Sequence, residues 1–206
     1  MDFCLTKPLS RIQRENRATI LEAALDVFST HGFRGATLDS IAKKSGLSKP
    51  NILYYFDGKK SIHVALLSQL LDTWLAPLRE LDPHGDPTKE LMSYIHRKLQ
   101  MSREYPRESR LFANEILQGA PRIEAFIKGE LRELVDEKAN LIDEWMQAGK
   151  LQKLDPHHLI FSIWAITQHY ADFDAQIRMI RGSGVKDSHE GSVVFVETIF
   201  RKILAN

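Results

Sequence analysis

Residues 37–56 read TLDSIAKKSGLSKPNILYYF. Thr37 is suited to cap a short helix running through Lys44, which Ser45-Gly46 ends, and Ser48 to cap a second one. Pro50 falls in the first turn of that second helix, where a missing N–H costs little. A glycine in a turn of about four residues, between helices of one or two turns each, is the helix-turn-helix layout. The pattern predicts Leu38, Ile41 and Ala42 inward on the first helix and Ile52 and Leu53 inward on the second. Ser48, Lys49, Asn51 and Tyr54 are left facing outward.

That outward set has the chemistry of a DNA reader. Hydroxyls, amides and backbone N–H groups at a recognition-helix start bond phosphate oxygens, and an amide can also read a base edge. Thr37, at the head of the first short helix, belongs to the same candidate set. Lys59 and Lys60 follow at the mouth of the next helix as cations within phosphate range, and Arg11, Arg14 and Arg17 offer the same from the helix before. Tyr55 has two readings: a phosphate contact if it leans outward, a core residue with a tethered hydroxyl if it does not. Phe56 is expected to anchor the turn against the first helix.

Working outward, helical spacing runs from end to end and no segment alternates with period two, so the chain reads as all-α with about nine helices. The first spans about Arg11 to His31, with Ile20, Ala24, Val27 and Phe28 on one stripe and Gly32 at its C-cap. A longer one spans about Ser61 to Leu81. Its Pro77 removes the bond to the Thr73 carbonyl, so a kink is expected there. The tract DPHGDP, 82–87, breaks the pattern, and helices follow near 88–105, 106–118, 121–148, 156–174 and 187–205. Asp187 and Glu190 have capping-box spacing at the start of the last. LIFSIWAI, 159–166, is apolar nearly all round and the last helix carries Val193, Val196, Ile199, Phe200 and Ile203. Both suit a dimer interface, in which a second copy supplies the cover, and a larger monomeric core is the other reading.

The net charge of +1 hides an uneven distribution. Residues 1–61 hold ten Lys/Arg against six Asp/Glu, and the remaining 145 hold eighteen against twenty-one. A basic end on a mildly acidic body points to an anionic partner met at that end. The single cysteine, Cys4, leaves no intramolecular disulfide and fits a reducing compartment. The start MDFCLTKPLSR lacks an apolar signal core, and Leu159 to Ile166 falls far short of the about 20 residues a bilayer span needs. The expectation is a cytoplasmic, nucleoid-associated protein with no membrane partner.

The stretch ATLDSIAKKSGLSKPNILYYFDGKKSI resembles the N-terminal helix-turn-helix of the TetR family of bacterial repressors through T-x-x-x-I-A-x-x-x-G-x-S-x-x-x-x-Y-x-F. Leu47 stands where valine is commoner. The resemblance implies a DNA-binding domain over 11–60 and a ligand-binding and dimerisation domain over 61–206. It implies a homodimer on a palindromic double-stranded operator, released when a small molecule fills the C-terminal helices, with no cofactor. WLAPL (74–78), SREYPRESRLFANEILQGAP (102–121) and DPHHLIFSIWAITQHYADF (155–173) resemble the family's regulators of pyrimidine utilisation, whose effectors are uracil and thymine.

Trp164 and Gln168 are i and i+4, so they share a helix face. An indole offers a flat stacking surface, and a carboxamide pairs donor to acceptor with a cyclic imide edge. Trp74, beside Pro77, is placed to close the other side, with Lys98 and Phe112 as further candidates from neighbouring helices. The alternative is plain core packing. A regulator of the same family tuned to a lipid or drug would want a charge-free tunnel, against which Gln168 argues. Catalysis is set aside: His157-His158 lie in a helix first turn, and His169 with Asp172 reads as a structural hydrogen bond. Neither a phosphate loop nor a G-x-S-x-G elbow is present. An interaction module without DNA binding would leave the outward residues of 48–54 without purpose.

Overall fold

A computed structural model describes residues 10–182, 187 and 189–205; Cys4 lies outside them. The described chain is all helical. Helix α1 is Arg11–Gly35, α2 Leu38–Ser45, α3 Lys49–Tyr55 and α4 Lys59–Arg79. Then come α5 Pro87–Glu104 and α6 Pro106–Leu117. In α7, Glu124–Phe126 leads through a π-helical stretch, Ile127–Leu131, into Arg132–Gln147. The chain closes with α8 Pro156–Asp172, α9 Asp174–Arg181 and α10 Ser192–Leu204. Two compact units result, Met1–Ser68 and Gln69–Asn206, and α4 runs through the division between them.

In the first unit the caps follow the sequence closely. The Ser10 and Thr37 side chains each accept from the backbone N–H three residues on, and Gln13 and Ser40 return the bond. Ser48 accepts from Asn51 N, with Pro50 in the first turn. Gly46 holds the α2–α3 turn at φ 71°, ψ 7°, a left-handed geometry that a side chain would strain. Gly32, at φ 64° and ψ 176°, breaks α1, and one more turn follows it to Gly35. Ile20, Ala24, Phe28, Ile41, Ile52 and Ile62 are fully covered and form the centre of this unit.

Leu53 departs from the expected packing: it is 45% exposed, while Ile52 beside it is buried. A helix of seven residues turns only one narrow face inward, and its neighbour, about 100° round, points away.

The second unit packs α5, α7, α8 and α10 around Leu91, Tyr94, Ile95, Ile142, Trp145, Ile160, Ile163 and Phe200. A buried ion pair locks the turn from α6 to α7: Glu115 accepts from Arg122 N at 2.8 Å and from its Nη1 at 2.5 Å. The expected capping box at Asp187 and Glu190 does not start the last helix. Asp187 Oδ1 accepts from His189 N, Glu190 N donates to the Asp187 carbonyl, and α10 begins at Ser192 behind Gly191. The spacing was right for a box, but the chain makes a turn there first. Helix α9, which the 156–174 and 187–205 spans left as a connection, is amphipathic with Met179 and Ile180 exposed. On α8 and α10 the inner stripes are buried, while Phe161, Phe173, Val194 and Phe195 remain open on the described chain.

Candidate DNA-binding head and small-molecule site

In the first unit the structure sorts the candidate contacts by what each already touches. Tyr54 is 69% exposed, and its hydroxyl accepts from Gln13 Nε2 at 3.0 Å. Its ring meets Tyr55 edge-on, with centroids 5.0 Å apart. Tyr55 is half-buried with its hydroxyl accepting from Asn16 Nδ2 at 3.1 Å. Phe56 is buried under the Arg17 guanidinium, which lies 5.2 Å from the ring centre. Thr37 and Ser48 are exposed caps, and Asn51 is half-buried on α3. Lys49 reaches Asp39 at 3.1 Å and Arg11 reaches Glu15 at 3.2 Å, both as exposed pairs; Arg14 and Lys60 are exposed. Exposed pairs of this kind contribute about 0–1 kcal/mol, so either cation exchanges its carboxylate for a phosphate at little cost.

Lys59 stands at the mouth of α4, as expected, and its ammonium is already engaged. Its ammonium donates to the Phe33 and Ala36 carbonyls, both at 2.8 Å, and lies 4.5 Å from the Phe33 ring centre. Those carbonyls end α1, where a cation offsets the negative end of the helix dipole. Lys59 is also the first residue of α4, so it ties the start of that helix to the end of α1.

In the second unit, three of the five candidate ligand residues adjoin one another, and a fourth bonds a residue one turn away on α5. The Lys98 ammonium lies 4.5 Å from the centre of the Trp74 ring. Trp74 meets Phe112 with centroids 6.2 Å apart. Lys98 also feels the charge of Asp172, whose carboxylate accepts a hydrogen bond from Ser109, one turn before Phe112 on α6. Trp74, Lys98 and Phe112 thus adjoin by ring contacts, and Asp172 and Ser109 are related to them by charge, a hydrogen bond and helical spacing. Trp164 joins through Tyr94, one turn before Lys98 on α5: its Nε1 donates to the Tyr94 hydroxyl at 2.6 Å. The outer side of Trp164 lines an apolar groove of about 380 Å³ with Phe161, Ile127, Leu131 and Val135. Gln168 is half-buried on the α8 face between Trp164 and Asp172, and no described residue bonds its amide.

Burial sets the protonation of this layer. Lys98 is 4% exposed, and desolvation lowers its ammonium to about 8 although Asp172 pulls the other way. Burial pushes the Asp172 carboxyl up, against the Ser109 hydrogen bond and the charges of Arg110, His169 and Lys98. It pushes the Tyr94 phenol up as well. Trp74, also 4% exposed, has an Nε1–H with no acceptor in the described residues. A buried donor left unmade costs about 1–3 kcal/mol, which a bound acceptor would recover.

Asp172, Ser109 and Tyr94 were not among the ligand candidates read from sequence. The helical repeat carried two of them: Asp172 is one turn beyond Gln168, and Tyr94 one turn before Lys98. The expected His169–Asp172 bond is replaced, since Asp172 goes to Ser109 and His169 stacks on Phe173 at 4.9 Å. No group of three metal-ligating side chains occurs among the described residues, and no described helix is long and apolar enough to cross a membrane.

A two-turn helix, a glycine turn and a polar-headed second helix, followed by a helical unit with a mixed aromatic and charged layer, define a helix-turn-helix regulator of the one-component, ligand-responsive kind. Residues 20–66 match the family described as bacterial regulatory proteins, tetR family, and residues 67–205 match the YcdC-like protein, C-terminal region. The chain is 46% identical over 190 residues to the HTH-type transcriptional regulator RutR of Escherichia coli K12, covering 92% of this chain and 88% of that one. The uncharacterized HTH-type transcriptional regulator TtgW of Pseudomonas putida is 40% identical over 55 residues, 27% of this chain and 41% of that one. A bacterial regulatory protein in the tetR family from Rhodococcus RHA1 has the same fold, with TM-score 0.74 at 19% identity over 96% of this chain and all of that one. This protein belongs to the TetR family of helix-turn-helix transcriptional regulators.

Proposed function

We propose that the chain acts in the bacterial cytoplasm as a homodimeric repressor that binds a palindromic operator and releases it when a pyrimidine, uracil or thymine, binds the second unit. The observation that carries the ligand reading is the surroundings of Trp74, where a buried indole N–H without an acceptor among the described residues lies beside an ammonium. A cyclic imide presents two carbonyl acceptors and one or two N–H donors on a flat ring. Trp74 Nε1 and Lys98 Nζ supply donors, Asp172 supplies an acceptor, Gln168 supplies both, and Phe112 and Trp164 supply flat faces. A lipid would leave these polar groups unpaired, at about 1–3 kcal/mol each.

The DNA contacts in this reading are Ser48, Lys49, Asn51 and Tyr54 from α3, with Arg11, Arg14 and Thr37 around them. Tyr55 and Lys59 brace the head rather than meeting DNA, as their hydrogen bonds to Asn16, Phe33 and Ala36 favour. Ligand bound beside Trp74 acts on α4, which carries both Trp74 and Lys59. A coupling of about 1–3 kcal/mol gives a roughly 5–150-fold change in operator affinity. The open Phe161, Phe173, Val194 and Phe195 side chains are covered by the second protomer; a chain that sediments as a monomer at micromolar concentration contradicts this part.

The test of the ligand is thermal. Uracil at a hundred times its Kd is expected to add about 2.7 kcal/mol to the native state and raise Tm accordingly. Gln168→Leu is expected to lose most of that rise. An unchanged rise in the variant removes Gln168 from the site, and no rise for uracil or thymine in the wild type overturns the pyrimidine reading.

A further inference from the structure

Tyr54, Tyr55 and Phe56 close α3, and one face of α1 holds each of them. Gln13 Nε2 donates to the Tyr54 hydroxyl at 3.0 Å, Asn16 Nδ2 donates to the Tyr55 hydroxyl at 3.1 Å, and the Arg17 guanidinium lies over the Phe56 ring at 5.2 Å. The first of these bonds can run in only one sense. Gln13 closes the capping box of α1: its Oε1 accepts from Ser10 N at 2.9 Å, while its own N–H donates to Ser10 Oγ at 3.3 Å. With Oε1 taken by an N–H, the part of the amide that reaches Tyr54 is the NH2, which only donates. The Tyr54 oxygen therefore accepts, and its own O–H is directed elsewhere. Among the described residues nothing else bonds that hydroxyl, and Tyr54 is exposed. A hydroxyl that accepts one hydrogen bond is polarised to donate a stronger one.

We propose that Gln13 is a positioning residue for operator binding: it turns the Tyr54 O–H outward, so that the phenol donates to a DNA phosphodiester oxygen. This rests on the reading of the first unit as a DNA-binding head. The line runs from Ser10 N–H to Gln13 Oε1, from Gln13 Nε2–H to the Tyr54 oxygen, and from the Tyr54 O–H to phosphate, every bond in the same sense. A phosphodiester oxygen only accepts, whereas base edges present donors as well, so a phenol already committed to donating suits the backbone. The contact carries no charge of its own. It adds affinity on every sequence without adding to the counterions released.

Gln13→Glu tests the direction, because a glutamate keeps the capping box and has no N–H to give. Its carboxylate accepts from Ser10 N with one oxygen and from the Tyr54 O–H with the other, so the phenol turns inward. The substitution also adds a negative charge, and repeating it in a Tyr54→Phe background measures that charge by itself. Fluorescence anisotropy at one salt concentration reads operator Kd for full-length wild type, the two single variants and the double variant. Tyr54→Phe is expected to weaken binding at least about tenfold, equally on selected and unrelated duplexes, as loss of a hydrogen bond to a charged group does. Gln13→Glu is expected to cost at least about tenfold more in the wild-type background than in the Tyr54→Phe background, with Tm within about 2 °C of the parent. A lower Tm would enter both backgrounds alike and cancels in that ratio. Equal losses in the two backgrounds, in protein that binds duplex, overturn the role of Gln13 and leave the DNA-binding head intact. A Tyr54→Phe loss confined to particular sequences overturns the phosphate contact and places the phenol on a base. A wild type that binds no duplex overturns the proposal together with the reading it rests on.

Discussion

Operator affinity is expected to fall by about 10³-fold when salt is raised from 50 to 200 mM. Each head presents Arg11, Arg14 and Lys49 at its surface, and two heads bring about six phosphate contacts to one operator. Neutralising six phosphates releases their condensed counterions, with a slope of about −0.9 per contact in log K against log salt. The ion pairs that Lys49 and Arg11 now make do not oppose this. They are exposed, and the salt that weakens the phosphate contacts weakens them too. A fluorescence-anisotropy titration on a duplex selected from random sequence measures the slope. A slope near zero would mean that the basic end of the chain meets something other than DNA. Asn51→Ala separates positioning from reading: a loss confined to particular sequences marks a base contact, and an equal loss on all of them excludes one.

The second large effect lies at Lys98. The native state lowers its ammonium from 10.5 to about 8, chiefly by burial, so the folded chain gives up this proton before the unfolded chain does. Between those two values the unfolded state binds more protons, and stability therefore rises with pH. The cost is fully present below pH 8, at about 3 kcal/mol for the cited shift, and is relieved as pH climbs toward 10.5. Lys98→Met removes it at every pH. Relative to wild type, the variant is expected to be favoured most near pH 7, with the gap narrowing by about 2–3 kcal/mol by pH 10. Denaturant unfolding of both proteins across that range measures the gap. Parallel curves would mean that the lysine is not held in a desolvated place. A buried charge kept at such a cost is a common mark of a functional site, which supports the place given to Lys98 in the proposed ligand layer.

The fold was legible because its cues are local. Caps at Thr37 and Ser48, the Gly46 turn and the apolar stripe of α1 act within a few residues of themselves, and all of them hold in the structure. Where the structure departs from that reading or adds to it, most of the deciding partners are distant in sequence. Lys59 looks like a free cation until the α1 carbonyls 23 and 26 residues away are brought to it. Asp172 reads as a partner of His169 until Ser109, 63 residues away, takes it. Leu53 is apolar and sits beside a buried neighbour, so only the three-dimensional face of α3 shows it to be open. The helix at 174–181 carried too few inward positions to announce itself beside a buried helix, and the spacing at 187–190 fits a turn as well as a cap.

The candidate site was half legible. Aromatic and amide side chains one turn apart on α8 marked a face, and Trp74, Lys98 and Phe112 proved to adjoin one another. What sequence could not give was the charge that organises them, because the Lys98–Asp172 relation spans two helices and depends on both groups losing water. That relation adds a buried ammonium and a buried carboxyl to an aromatic cluster.

The most direct measurement is operator release. A selected palindromic duplex carrying a fluorophore is bound by the full-length dimer at moderate salt, and uracil is titrated in with adenine as a control. Operator Kd is expected to rise between about 5-fold and 150-fold with uracil, to stay constant with adenine, and to respond little in Gln168→Leu. An operator affinity that uracil and thymine both leave unchanged, in protein that folds and binds the duplex, would contradict the reading of this chain as a pyrimidine-released repressor.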